Sequence, residues 1–174
     1  MTLDGSPDEA TTTTYARVAA LGFVAGLRSM MPFAILSRAY ETDGAAHDAL
    51  PSPLRLLDSG AVRALTTVAA AGEVVGDKLP MVPSRLQPGP LAGRVIVGAL
   101  AGATLSHRTP LTLAVGAALG AAAAGAGSAA GYYARKALGD ATSVPDPAWA
   151  VLEDGLALGL GLLSVSGFVP PERA

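Results

Sequence analysis

Residues 66–83 read TTVAAAGEVVGDKLPMVP, a run of small and apolar residues into which Glu73, Asp77 and Lys78 are set. Glu73 and Asp77 stand four apart, so on a helix they share one face. The segments around this run are long and nearly uncharged, which places it in lipid. Carboxylates in lipid are costly and face a bundle interior or a wet cavity. These constraints converge on an all-α, polytopic transmembrane bundle with an ionisable interior.

Composition argues in the same direction. Charged residues make up 15% of the 174-residue chain, against about 25% in soluble domains. Mean hydropathy is +0.43, and a monomer of this size would struggle to cover so apolar a chain with polar surface. The net charge of −2 comes without a basic run, so nucleic acid is not an expected partner. The absence of cysteine excludes disulfides, thiol catalysis and Cys-ligated metal. His47 has no second histidine at metal-ligand spacing, and neither metal nor cofactor is expected.

Five apolar segments follow a polar N-terminal stretch. Residues 1–14 are expected to form a disordered tail, 15–169 a single membrane domain and 170–174 a short polar end. The first span, 15–36, has the length needed to cross about 30 Å of hydrocarbon; Pro32 is expected to bend it or end its regular part. Arg28 has two readings of equal standing, snorkelling to the interface or entering an interior ion pair. The second span, 61–80, carries Glu73 toward the interior and Lys78 toward the headgroups. The third, 91–106, is short unless Arg94 snorkels. The fourth, 111–138, is mostly Ala and Gly, too weakly apolar to want lipid on all sides, and is expected in the middle of the bundle. Asp146 is expected to cap the fifth, 148–169, with Pro147 at its first position. Within the fifth, Trp149 suits an interface belt, and Glu153 and Asp154 lie inside the apolar run, pointing about 100° apart.

Glycine pairs at spacing four recur at 22/26, 72/76, 98/102, 116/120, 127/131 and 155/159, with 89/93 in a connector. Such faces let helix backbones approach closely and make a homo-oligomer a reasonable expectation. The tetrapeptide AALG at 19–22 and again at 117–120, with a glutamate-bearing helix later in each half, raises an internal repeat. Basic residues divide six against five between the two sides of a five-span topology, leaning to a cytoplasmic N-terminus of a multi-pass plasma-membrane protein.

Two motifs, G-L-R-S-x-x-P at 26–32 and E-x-x-x-D-K-x-P at 73–80, resemble an uncharacterised bacterial membrane family, the domain of unknown function numbered 4126. The resemblance implies a small integral membrane protein with an arginine and an acidic motif near the bundle interior. It brings no activity with it.

Two functional readings follow. In one, the chain is a small-solute or ion transporter or channel, with Arg28, Glu73, Asp77 and Glu153 as binding or coupling groups. In the other, it is a structural or assembly protein whose charges form static pairs, Arg28 with Glu73 among them, while Pro32, Lys78 and Asp154 serve structure or the interface. No H-E-x-x-H, G-x-S-x-G or phosphate-binding motif occurs, so an enzyme is not expected.

Overall fold

The computed structural model describes residues 7–41, 56, 59–76, 84–107, 109 and 111–166, and among these the breaks between apolar runs leave six helices, rather than five. They are α1 (Pro7–Leu27), α2 (Met31–Glu41), α3 (Gly60–Gly76), α4 (Pro88–Ser106), α5 (Leu113–Ala141) and α6 (Asp146–Val165). Helix α1 begins inside the segment expected to be a polar tail.

The additional helix arises because the first span does not continue past Leu27. Helix α1 stops there, Arg28, Ser29 and Met30 turn the chain, and Pro32 lies in the first turn of α2. Ile35 then joins Val24, Leu27 and Met31 in one buried cluster, and Leu36 joins Val18 and Leu21 in another. At about 1.5 Å per residue, a straight helix would carry Leu36 roughly 20 Å beyond Leu21. The chain therefore turns back. With 11 residues, α2 is about 16 Å long, roughly half of a hydrocarbon core.

The remaining helices alternate in direction. Gly22 and Gly26 of α1 meet Gly120 and Ser128 of α5 in the same order along both chains, so α1 and α5 are parallel. Helix α4 runs against both, with Gly98 beside Gly120 and Gly102 beside Gly116. Arg28 reaches Asp154 near the start of α6, while Val24 lies beside Gly161 farther along, so α6 is antiparallel to α1. Helix α3 ends where α1 ends, and runs parallel to it. The helix that follows thus has a different sense in each half, α3 parallel to α1 and α6 antiparallel to α5, which is not the equivalence a repeat requires.

Helix α1, rather than the Ala-rich α5, is the hub. Val18, Leu21, Val24 and Ala25 are fully buried, and α1 packs against α2, α4, α5 and α6. Helix α5 buries one stripe, including Gly116, Gly120, Ala124, Gly127 and Gly131. Small side chains served close approach on that stripe, not burial on every side. At Gly22 an added methyl carbon would lie 2.5 Å from the Gly120 carbonyl oxygen, and at Gly98 2.6 Å from the same atom. Gly72, Gly76, Gly155 and Gly159 have nothing within 4 Å in that direction.

Helices α4, α5 and α6 are each long and apolar enough to cross a membrane. Only 28% of the spanning window of α5, and of α6, is buried within the chain. Leu152, Leu156, Leu162 and Leu163 on α6, and Leu65, Val68 and Val75 on α3, are exposed. Such faces require a lipid surround, and the chain is a multi-pass membrane protein.

Two glycine substitutions separate the packed from the open positions. Gly120→Val drives a side chain into the α4 backbone and is expected to abolish the folded species. Gly155→Ala meets open space and is expected to leave stability unchanged or raise it by up to about 1 kcal/mol, the ordinary helix preference for alanine. The monodisperse fraction and the thermal midpoint in detergent micelles check both.

Candidate functional site

The reversal at 28–30 leaves two helix ends inside protein, with the last carbonyls of α1 and the amides leading into α2 lacking helical partners. Away from water each would be costly to leave unmade. Arg94, from α4, supplies the donors. Its Nη1 donates to the carbonyl oxygens of Gly26 and Leu27, each at 2.9 Å. Ser128 Oγ of α5 also donates to Gly26 O, at 3.2 Å. Glu73, from α3, supplies the acceptors. Its Oε1 accepts from Ser29 N at 2.8 Å and Ser29 Oγ at 3.0 Å, and its Oε2 from Met30 N at 2.9 Å. Arg94 Nη2 closes the arrangement by donating to Glu73 Oε1 at 3.1 Å.

The polarity of this clamp follows helix electrostatics. The carboxylate sits at the positive N-terminus of α2 and the guanidinium at the negative C-terminus of α1. Arg94 is therefore turned inward and buried, and does not snorkel to lengthen its span, because the carbonyls at the end of α1 lie inside the bundle and not at its rim.

Arg28, which is 1% exposed, pairs with Asp154 rather than with Glu73. Its Nε donates to Asp154 Oδ1 at 2.5 Å. The expected Arg28–Glu73 pair fails because Glu73 is committed to the amides just beyond Arg28. Glu153, next to Asp154 but about 100° around α6, faces elsewhere. Its Oε1 accepts from Arg85 Nη1, and its Oε2 lies 3.9 Å from Arg135 Nη1. Arg135 also binds Asp146. Asp146 is the first residue of α6 and follows Pro145 at the cap position, so it serves as an ion-pair partner and not as the cap.

These groups lie at one end of the bundle: the C-terminal ends of α1, α3 and α5 and the N-terminal ends of α2, α4 and α6. Sequence reasoning found Arg28, Glu73, Glu153 and Asp154, and the one pair it offered, Arg28 with Glu73, gives way to Arg28 with Asp154 and Arg94 with Glu73. It gave Arg85 no role and weighed Arg94 only as a residue that could snorkel, although an arginine three residues into the third apolar run was a visible signal. Asp77 and Lys78 lie outside the described residues. Pro32 is buried beside the reversal without a polar role. Chemically, the arrangement joins carboxylates to guanidiniums. Among the described residues, no group of three or more His, Asp or Glu could hold a metal ion.

A family model described as Domain of unknown function (DUF4126) matches residues 16–170. The chain belongs to this family. Its match spans all of the paired charges described above, from Arg28 to Asp154. No curated protein and no solved structure matches the chain.

Removing Arg94 strands the Glu73 charge and the carbonyls at the end of α1. Arg94→Leu is expected to cost about 3–5 kcal/mol, as for other broken buried pairs. Asp146→Ala removes a partner whose side chain is 61% exposed and is expected to cost less than about 1 kcal/mol. Thermal midpoints of the two variants in micelles should differ accordingly.

Proposed function

We propose that the chain is a non-enzymatic structural or assembly component of the plasma membrane, whose interior charges hold helices in register. The observation that carries this reading is the engagement of Glu73, whose two oxygens meet four donors, from Ser29 N, Ser29 Oγ, Met30 N and Arg94. A coupling carboxylate has to exchange its partners with water or a solute, and Glu73 would first have to release the amides that lead into α2. Asp154 and Glu153 are likewise held by arginines of the same chain. A second copy of the chain is a suitable partner for the open glycine faces of α3 and α6, where backbones could approach closely.

A second reading is supported by the chain reversal itself. Interrupted helices whose ends face charged groups are a recurring feature of transporter sites. In that reading, a small solute or ion is handled at the Glu73–Arg94 break, with Arg28 and Glu153 alongside.

Flux across liposomes separates the two. On the structural reading, wild-type protein and Glu73→Gln conduct alike under proton and ion gradients, while the variant loses thermal stability. Flux in the wild type that disappears in a folded, inserted Glu73→Gln would establish the transporter instead.

A further inference from the structure

A groove of about 470 Å³ runs between α2, α3 and α6. Met31, Val74 and Leu158 line its end beside the clamp, and Arg38, Thr67 and Val165 line the other. Leu158 and Leu162 are exposed along it, so in a bilayer the groove opens to lipid. Helix α6 is long and apolar enough to cross, and Val165 is its last residue. The Arg38 end of the groove therefore lies at the membrane surface opposite the clamp. From Met31 to Arg38 the groove follows about 10 Å of α2.

Arg38 differs from the arginines at the clamp end. Arg28, Arg85, Arg94 and Arg135 each meet a carboxylate of this chain. Arg38 is exposed and makes no hydrogen bond or ion pair among the described residues. Its guanidinium is reachable both from the groove and from the membrane surface. A cation beside hydrocarbon needs a counter-ion or has to extend into water. The planar guanidinium fork matches two oxygens of a phosphate. An anion that also covers the apolar walls must carry an aliphatic chain. One molecule of the bilayer has both parts in the right order, with its head at the surface and its chain directed inward from Arg38 toward Leu158.

We propose that this groove binds an anionic phospholipid of the leaflet opposite the clamp. The headgroup phosphate accepts from the Arg38 guanidinium, and one acyl chain lies along Ile35, Ala70 and Leu162. The proposal does not depend on either reading of the Glu73–Arg94 clamp.

The experiment uses the full chain carrying Trp149→Phe and Leu158→Trp, which moves the single tryptophan to the inner end of the groove. Nanodiscs contain phosphatidylglycerol and phosphatidylcholine, with brominated acyl chains on one lipid or the other, and tryptophan quenching reads which lipid occupies the groove. Phosphatidylglycerol is expected to bind about fivefold more tightly, the preference that one basic residue gives an anionic head. Arg38→Lys should keep most of this preference, and Arg38→Gln should abolish it with helical circular dichroism unchanged. Ala71→Phe, at an exposed position on the groove wall, should abolish it by filling the space for the chain. Equal quenching by the two lipids, or a preference that survives in folded Arg38→Gln or Ala71→Phe, would overturn the proposal and leave Arg38 to water. A tryptophan shielded from both lipids would also overturn it, and would give the groove to a second copy of the chain.

Discussion

A polypeptide that reverses direction among membrane helices must satisfy its exposed backbone groups from within. The turn at Arg28, Ser29 and Met30 is that problem, and four helices meet to solve it. Helix α3 delivers an acceptor pair in Glu73, α4 a donor fork in Arg94, α5 a hydroxyl in Ser128, and α6 the Asp154 carboxylate that binds Arg28. Remove the reversal and none of these groups has a reason to be where it is. The placement of Arg28, Glu73, Arg94 and Asp154 is thus one consequence of a single backbone event.

Close helix approach is the second requirement. Arg94 reaches the end of α1, and Ser128 reaches Gly26, because glycines on α1, α4 and α5 let the three backbones pack with almost nothing between them. Positions 22, 98, 102, 116 and 120 cannot hold even a methyl group without displacing a neighbouring backbone, serine or alanine atom. The precision of the polar contacts therefore depends on the stripe of small residues beneath them.

The helical membrane class, the interior placement of Glu73 and the packing role of glycine were all legible from residues 66–83 and the glycine spacing. The reversal was not. Residues 15–36 have the length and apolarity of one crossing, and neither Arg28 nor Pro32 distinguishes a bend from a full return, because the deciding contacts come from residues more than 40 positions away. The pairing of charges was illegible for the same reason. Arg28 had several acids within plausible reach, and its choice of Asp154 rests on α6 being antiparallel to α1. The glycine pairs looked alike in sequence, yet 22/26 and 98/102 are packed while 72/76 and 155/159 are open, since spacing reveals a face but not what covers it.

The central claim is that Glu73 and Arg94 act through the helix ends they cap, and not merely through their mutual attraction. Exchanging them, Glu73→Arg with Arg94→Glu in one chain, keeps an ion pair but points the wrong charge at each end of the reversal. The measurement is the thermal midpoint of that exchange in micelles beside the two single variants. The account predicts that the exchange is no more stable than the weaker single variant. Recovery to within about 1 kcal/mol of the wild type, the scale of an ordinary capping contribution, would contradict it and reduce the clamp to a simple salt bridge.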